Sequence, residues 1–405
     1  MSDDALARFR TQHLFLLVGT NPLPNYVAAK LLLANAAPIA SENHPCLYLV
    51  HTKKTYPIAM RLVRLFPAAV PELIQVDENN TADIYAKIKP HIHQGSVGLN
   101  YTGGTKAMAV HTYQALRELR KEDVICSYLD ARALTMQIDH PPDPSEAIPV
   151  GLALRLPFED LLALHAHELN PDKPEPVSTP QHLDLARAII TNGLCENMGN
   201  WSRVLYVGGR LKKEEEGVGD VQLPSHLGPI LSFWDNCASV SELAQKWNTT
   251  VDDATAWLAG KWLEHYTLAA VNDVAKDCDI HFARLGINSR SLPAQLPSGG
   301  LSSVRKFEID VAGLRGYRLF SIECGIGDYR DKLKLKFFEA YIRARQLGGD
   351  EARVGLVCCA KKDDTAKIQR EIENEWDAEG VVQVFGTAEL PKLSAHLKAW
   401  FRTGT

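Results

Sequence analysis

Apolar and polar positions in the first 150 residues alternate between strand-like runs and helix-like segments. Continuous apolar runs predict four buried strands at residues 14–18, 46–50, 73–76 and 97–101. Helical segments are predicted at 25–35, 56–66, 81–88 and 105–119, and two closing strands at 124–129 and 133–138. Short buried strands that alternate with helices predict a mostly parallel sheet covered on both faces.

The rest of the chain changes character twice. Residues 151–250 are mainly helical, and the helix at 239–247, the turn Asn248-Thr249-Thr250 and the helix from 251 to 271 resemble a helix-turn-helix pair. From 251 onwards the pattern predicts a second α/β domain, with strands at 307–314, 317–324, 354–359 and 381–385 and helices at 331–347, 364–377 and 392–401. Proline and glycine predict connectors at 170–176 and 292–303. We therefore predict domains at 1–150, 151–250 and 251–405.

Composition narrows the class of protein. The 405 residues are 45% hydrophobic and 23% charged, and 44 basic residues stand against 49 acidic ones, for a net charge of −5. No apolar run approaches the ~20 residues that span a bilayer, and the polar, acidic first ten residues do not resemble a signal peptide. The eight cysteines form no CxxC pair. We expect a cytoplasmic globular protein with reduced thiols, without the bulk positive charge of a protein that coats nucleic acid.

Two glycine-containing turns follow strands of the predicted first sheet, at residues 19–25 and 100–106. Ligands of open parallel sheets bind beyond the carboxyl ends of the strands, and the free N–H groups of the following helices favour anions. Thr102 and Thr105 add hydroxyls and Lys106 adds a positive charge, but the GxxxxGK[ST] phosphate-binding pattern is absent. The alternative is a plain strand-to-helix turn capped by Thr105.

Four acidic residues mark the second domain. Strand alternation places Glu308 and Asp310 on one face of their strand, and the next strand carries Glu323. Because neighbouring strands lie ~4.8 Å apart, Asp310 and Glu323 are placed to share a divalent cation. Glu264 lies on the same helical stripe as Trp257. The alternatives are a solvated acidic sheet edge for the strand residues and a rim position for Glu264.

The first domain resembles a known family of sensors. Asn100-x-Thr102-x-x-x-Lys106 is similar to the signature of CARF domains, which sense cyclic oligoadenylates in type III CRISPR defence. The resemblance implies a homodimer that binds the cyclic nucleotide across its two-fold axis. The residues that it implies for the pocket are Thr20, Asn21, Thr102, Gly103, Gly104, Thr105 and Lys106. His51 and Thr52 end the second strand at the same edge, where a solvated loop is an equally good interpretation.

The second domain resembles the PD-(D/E)xK nuclease core over residues 255–390. The pieces that carry the resemblance are Gly260-Lys261-Trp262-Leu263-Glu264, Glu308-Ile309-Asp310-Val311 and Ile322-Glu323-Cys324. Where the family has a lysine two residues after the second acid, this chain has Gly325. We predict that Lys336 on the following helix replaces it, with Lys334 as second choice. Alternatively, the lysines of that helix are solvated charges.

Together the two resemblances imply a CRISPR ancillary nuclease, with an α/β CARF domain, a helical connector and a restriction-endonuclease-like α/β domain. They imply Mg²⁺ or Mn²⁺ held by Asp310, Glu323 and the carbonyl of Cys324, with Glu264 and Glu308 completing the site. Cyclic tetra-adenylate is the expected activator, and DNA or RNA the substrate. Three alternatives stay open: a transcription regulator, a binding-only sensor with a decayed nuclease domain, and an enzyme that cleaves the cyclic signal itself.

Overall fold

The first part of the chain folds around one seven-stranded sheet. The computed structural model describes residues 2–34, 44–69, 71–92, 95–120, 123–141, 143–225, 227–228, 234, 237–292, 306–326 and 330–403. The strands of the first sheet are β1 (His13–Leu17), β2 (Cys46–His51), β3 (Glu72–Gln75), β4 (Val97–Asn100), β5 (Val124–Asp130), β6 (Thr135–Asp139) and β7 (Glu146–Pro149). Their order is β3-β2-β1-β4-β5-β6-β7. The first five strands are parallel, as predicted, and the last two are antiparallel.

Helices cover both faces of this sheet. They are α1 (Ser2–Ala7), α2 (Leu23–Leu32), α3 (Tyr56–Leu65), α4 (Thr81–Ile88) and α5 (Lys106–Arg120). The helix α4 begins where the side chain of Asn80 accepts a hydrogen bond from the Asp83 amide, which is the usual N-cap arrangement. The apolar strand residues pack against these helices in two separate layers. The sheet is therefore buried on both faces, as its continuous apolar runs predict.

The middle of the chain is helical with short strands. Its elements are α6 (Phe158–Leu164), β8 (His167–Leu169), α7 (Pro180–Thr191), α8 (Cys195–Ser202), β9 (Tyr206–Val207), β10 (Arg210–Leu211), α9 (Val240–Trp247) and α10 (Val251–Ala256). The helix α9 ends at Asn248 in a left-handed conformation, and Thr250 caps α10. This agrees with the predicted helix pair. Three-residue 3₁₀ turns lie at Pro67–Ala69, Lys89–His91, Arg203–Leu205, Glu214–Glu216, Val218–Asp220, Lys276–Cys278, Gly349–Glu351 and Leu390–Lys392.

The helix predicted at 251–271 is broken in the structure. After α10 comes a π-helical turn at Trp257–Lys261, and only then α11 (Trp262–Ala275). Gly260 in the turn has φ 155°, a value that side chains with a Cβ rarely adopt. The prediction of one continuous helix is thus wrong at this glycine. Such π turns occur often at functional sites.

A second, six-stranded sheet contains the acidic residues. Its elements are β8, β11 (Ile280–Ser291), β12 (Lys306–Arg315), β13 (Arg318–Gly325), β14 (Arg353–Cys358) and β15 (Val382–Phe385), with helices α12 (Arg330–Gly348), α13 (Lys362–Trp376) and α14 (Leu393–Phe401). The strand order is β15-β14-β13-β12-β11-β8. The long strand β11 is absent from the sequence prediction, and β8 joins this sheet from the middle of the chain.

Helices pack on both faces of the second sheet. On one face α12 and α13 bury apolar side chains against β14 and β15. On the other face α11 and α14 pack together with the helices of the middle segment. Most of the predicted connector 292–303 lies outside the described residues. No described helix is long and apolar enough to cross a membrane.

Candidate functional site

Asp310 and Glu323 lie on the adjacent antiparallel strands β12 and β13. Val311 pairs with Ile322 in the register of these antiparallel strands. The next pair along the two strands is therefore Asp310 opposite Glu323. Asp310 is 9% exposed and Glu323 is 3% exposed. Asp310 Oδ2 accepts a hydrogen bond from the backbone N–H of Cys324 at 2.8 Å. The two carboxylates therefore share one buried pocket, as strand alternation predicts.

The ammonium group of Lys336 lies at the centre of this pocket. Its Nζ is 2.8 Å from Asp310 Oδ2, 3.3 Å from Glu323 Oε2 and 2.5 Å from the carbonyl oxygen of Cys324. These three oxygens are the ones predicted to hold a divalent cation. The structure thus brings Asp310, Glu323, Cys324 and Lys336 together, and a positive charge already stands where their oxygens converge.

Gly325 explains how a lysine from a helix reaches the sheet. A Cβ at position 325 would lie 2.6 Å from Cδ2 of Leu333 on α12, so that the leucine side chain would have to shift. The glycine lets α12 pack tightly on β13, and Lys336 follows Leu333 by three residues on nearly the same helix face. Lys334, the second choice, lies elsewhere: its Nζ pairs with Glu371 and Glu375 of α13, at 3.3 and 2.8 Å.

Burial and like charge keep protons in this cluster. Burial, followed by the negative charge of Asp310, raises the pKa of Glu323 well above its ordinary value. The same two causes raise the pKa of Glu264 to about 8. Burial lowers the pKa of Lys336, but the charges of Asp310 and Glu323 outweigh it, and the net effect is a raised pKa. The lysine therefore stays charged at neutral pH, since its partners are carboxylates.

Glu264 and Glu308 lie at the edge of the cluster. Glu264 is in the first turn of α11, directly after the π turn, and is partly buried. Glu308 is exposed at the start of β12, and its backbone carbonyl accepts a hydrogen bond from Arg343 at 3.4 Å. Strand alternation places Glu308 on the face of Asp310, but the Glu308 side chain is exposed whereas Asp310 is buried. The structure therefore does not bring Glu308 into contact with the central group.

The donor set of the pocket suits a hard divalent ion. No three His, Cys, Asp or Glu side chains within the described ranges are arranged to hold a metal. Two carboxylates and one backbone carbonyl nevertheless meet at the Lys336 ammonium, and Mg²⁺ is commonly held by one or two carboxylates together with water and substrate oxygens. The residues fit such an ion, provided that Lys336 moves aside.

The two glycine-containing turns of the first sheet pack against each other. They follow β1 and β4, which are neighbouring parallel strands. A Cβ at Gly103 would clash with the carbonyl oxygen of Leu17, and a Cβ at Gly19 would lie 3.1 Å from the Gly104 nitrogen. Gly104 has φ 75°. Only glycine allows this approach, so the two turns form one continuous surface at the carboxyl edge of the sheet.

Several polar residues of these turns hold the backbone in place. Thr102 Oγ1 accepts from the Leu129 amide at 2.7 Å, and Thr105 Oγ1 accepts from the Met108 amide at 3.2 Å. Thr105 thus makes the helix-cap contact of the alternative interpretation. Thr20 and Lys106 are exposed at the same edge. The side chains of Thr20 and Lys106 and the backbone N–H groups of Gly103 and Gly104 are candidates for contact with an anion, and the Thr102 and Thr105 hydroxyls can still donate to one.

Asn21 faces the second part of the molecule. Its side-chain oxygen accepts from the Leu23 amide at 3.1 Å, and its amide nitrogen lies so close to Gly349 that a Cβ there would clash with it. Gly349 directly follows α12, the helix that carries Lys336. His51 and Thr52 are buried. The turn after β1 is therefore in direct contact with the end of the helix that serves the acidic pocket.

Part of the middle segment lies beside the acidic pocket, and sequence reasoning assigned it no function. Tyr206 at the start of β9 donates a hydrogen bond to the carbonyl of Ala259 in the π turn at 3.5 Å. A Cβ at Gly199 in α8 would lie 3.0 Å from the carbonyl oxygen of Ile326. These contacts join residues more than fifty positions apart, so no local pattern in the sequence predicts them.

Comparison with known proteins shows the fold. No protein-family model and no curated protein matches the chain. The solved structure of VC1899 from Vibrio cholerae is similar, with 16% identity, 97% of this chain and 99% of that chain covered and a TM-score of 0.65. Can2 from Sulfobacillus thermosulfidooxidans, in complex with cyclic tetra-adenylate, is also similar, with 16% identity, full coverage of both chains and a TM-score of 0.67.

A third solved structure matches part of a longer protein. It is a type III CRISPR defence DNA nuclease activated by cyclic oligoadenylate, with 17% identity and a TM-score of 0.52. The match covers 86% of this chain but 45% of that one. The predicted α/β fold class is thus confirmed, since the fold of Can2 extends over the whole chain.

Proposed function

We propose that this protein is a metal-dependent nuclease of type III CRISPR defence that is activated by a cyclic oligoadenylate, with cyclic tetra-adenylate as the expected activator. Residues 1–150 form the sensor, 251–405 the nuclease and 151–250 the connector. The protein acts in the cytoplasm as a homodimer, and its substrate is DNA or RNA. The observation that carries the proposal is the convergence of Asp310, Glu323 and the Cys324 carbonyl on one buried point.

The chemistry follows from the charges in the pocket. Asp310, Glu323 and the Cys324 carbonyl would hold Mg²⁺ or Mn²⁺, and the bound ion would lower the pKa of water and offset charge on a phosphate. Lys336 would yield its place among these oxygens to the ion and present its positive charge to the reacting phosphodiester. Glu264, whose pKa burial and the charge of Asp310 raise, orients the groups around this centre, and Glu308 lies at its exposed edge. Lys336 takes the place of the motif lysine, whose position in this chain is occupied by Gly325.

The sensor edge supports a role in anion binding. The paired turns present Thr20, Lys106 and the glycine N–H groups at the start of a helix, which favours phosphates. The match to Can2, whose structure holds cyclic tetra-adenylate, supports a ligand of that class. Asn21 links this edge to Gly349 at the end of α12. A ligand that repositions the turn would move α12, and with it Lys336, so that binding and catalysis are coupled.

The test uses the wild-type chain. Purified protein is incubated with plasmid, single-stranded DNA or RNA, with Mn²⁺ or Mg²⁺, and with no activator, cyclic tetra-adenylate or cyclic hexa-adenylate. We expect cleavage of at least one nucleic acid only when both metal and cyclic oligoadenylate are present. Calorimetric binding of the cyclic nucleotide is measured in parallel, because binding without any cleavage would contradict the nuclease and support a binding-only sensor.

One alternative concerns the signal itself. Linear products of the cyclic oligoadenylate, separated by chromatography, would indicate an enzyme that degrades its own ligand at the sensor edge. A transcription regulator would instead bind duplex DNA through α9 and α10. The first turn of α10 carries Asp252 and Asp253, which repel phosphates. The structure therefore favours the nuclease over the regulator.

A further inference from the structure

A cleft of about 530 Å³ opens beside the acidic pocket, between the middle segment and the second sheet. One wall is the stretch from α8 to β10, with Arg203 and Tyr206. The opposite wall is formed by the ends of β13 and β14 and the starts of α12 and α13, with Ile326, Lys332 and Lys361. Two parts of the chain that are far apart in sequence thus create one cavity.

The cleft lies beside the candidate catalytic centre. Ile326, in one of its walls, follows Cys324 by two residues, and the carbonyl of Cys324 contacts Lys336. Tyr206, in its wall, donates to Ala259 in the π turn that leads to Glu264. The positive charge of Lys336 also acts on the phenol of Tyr206, where it opposes the effect of burial on the pKa. A molecule in the cleft therefore lies next to the acidic pocket.

The charges that line the cleft differ from the charge of the whole chain. The protein carries a net charge of −5, but the cleft has three cations, Arg203, Lys332 and Lys361, against two carboxylates. One of the carboxylates, Glu196, pairs with Lys361 at 3.6 Å. Both residues are largely exposed, so the pair is weak and exchanges readily for a phosphate. The cleft is therefore a local positive surface beside an acidic centre.

Size and residue types indicate what occupies the cleft. Its volume of about 530 Å³ lies within the ~300–1,000 Å³ range of small-ligand pockets, which accommodates a nucleotide or two of one strand. Tyr206 is 41% exposed and offers an aromatic face. Cations along a groove together with an aromatic side chain form the usual arrangement for binding single-stranded nucleic acid, in which bases stack on the ring and cations contact the backbone.

We propose that this cleft binds the single-stranded segment of substrate next to the phosphodiester that is cleaved. Arg203, Lys332 and Lys361 contact its phosphates, and Tyr206 stacks on a base. The inference rests on the proposed function and gives the middle segment a role in holding substrate. It also favours unpaired nucleic acid as the substrate class.

The experiment measures binding separately from cleavage. The protein is full-length Asp310→Asn, saturated with cyclic tetra-adenylate. It is titrated onto a labelled 12-nucleotide single strand and, separately, onto the same sequence as a duplex. Fluorescence anisotropy measures binding at several salt concentrations. We expect tighter binding of the single strand. Arg203→Ala and Lys361→Ala, each added to this background, should each reduce the slope of log K against log salt by about 0.7, the value for one phosphate contact on a single strand.

Tyr206 is tested by a conservative pair of variants. Tyr206→Leu should weaken binding at least about fivefold, because one base loses its stacking partner, whereas Tyr206→Phe keeps the ring and should bind as the parent does. Lys367→Ala on the exposed side of α13 is the matched control and should leave the salt slope unchanged. Unaltered thermal unfolding of each variant shows that the fold is intact.

The outcomes separate the cleft from the proposed function. The proposal that the cleft binds single-stranded substrate would be overturned by tighter binding of the duplex. It would also be overturned by unchanged salt slopes in Arg203→Ala and Lys361→Ala, even if the wild-type protein cleaves nucleic acid. Binding with the expected slopes in a protein that never cleaves would support the cleft and contradict the nuclease.

Discussion

Replacing Lys336 with methionine tests the most unusual feature of the pocket. Methionine keeps an unbranched apolar stem but removes the ammonium that lies 2.8 Å from Asp310 and 3.3 Å from Glu323. Without metal, the two buried carboxylates then lose their only shared positive partner within the described structure. We expect a marked loss of stability, because removal of one member of a buried ion pair typically costs about 3–5 kcal/mol.

The coupling between Lys336 and Asp310 can be bounded from the distance. At 2.8 Å and an effective dielectric constant of about 20, Coulomb's law gives about 6 kcal/mol of attraction. The lysine side chain is 40% exposed, so solvent screening reduces this considerably. We therefore expect a coupling free energy of about 2 kcal/mol, within the usual range for residues in contact.

The assay is a double-mutant cycle. Wild type, Lys336→Met, Asp310→Asn and the double variant are unfolded with urea in metal-free buffer, and the fluorescence of the buried Trp262 and Trp400 reports on the second sheet. Lys334→Met, whose lysine pairs with α13 instead, is the matched control and should be additive with Asp310→Asn. Additivity of Lys336→Met with Asp310→Asn, within about 0.5 kcal/mol, would refute the contact.

Three further predictions concern other parts of the molecule. Glu351 is fully buried, and burial raises its pKa from 4.5 to about 7. The folded state therefore holds the proton more tightly than the unfolded state, and the free energy of unfolding falls as the pH rises from 4.5 to 7. In urea unfolding, Glu351→Gln should be more stable than wild type by up to about 3 kcal/mol at pH 8 and equal to it below pH 4.5. Gly103→Ala should lower the affinity for cyclic tetra-adenylate at least about tenfold in calorimetry, because its Cβ would clash with the Leu17 carbonyl. The control Gly228→Ala, at a position with open space around it, should leave the affinity unchanged. Mn²⁺ at a hundred times its dissociation constant should stabilise wild type by about 2.7 kcal/mol but not Asp310→Asn; equal stabilisation of both would place the metal elsewhere.

Strand alternation around Asp310 and Glu323 predicts two acids on one sheet face. The expectation of a lysine comes from the family resemblance, whose motif position is Gly325 here, and the three-residue step from Leu333 then favours Lys336 among the lysines of the next helix. These are short-range regularities that a single sequence displays directly. What the sequence does not display is that Gly325 makes room for Leu333, because that contact depends on how the helix packs.

Other elements were missed for identifiable reasons. The strand β11 lacks clean alternation, with Arg284, Gly286 and Arg290 along it, and Gly286 has φ 61°. The strand β8 has three residues and gains its place only by pairing with β11. The wall of the cleft at Arg203 and Tyr206 arises from contacts across more than fifty residues, and such non-local packing leaves no periodic signal.

Two of the turn residues also have a structural role that the motif does not predict. Thr102 and Thr105 match the pattern of a ligand-binding turn, but their hydroxyls accept hydrogen bonds from backbone amides. A hydroxyl at the start of a helix serves equally as a cap, so the residue type alone does not separate the two roles. Asn21 packs on Gly349, a contact that no inspection of the first domain alone would predict.

The central claim is that Asp310 and Glu323 form a hydrolytic centre controlled by the sensor. The measurement that tests it most directly is the single-turnover cleavage rate of wild type and Asp310→Asn, both saturated with cyclic tetra-adenylate and supplied with Mn²⁺. The account predicts that the variant binds the activator as wild type does but cleaves about a hundred- to a thousandfold more slowly. Cleavage by Asp310→Asn at the wild-type rate would contradict it.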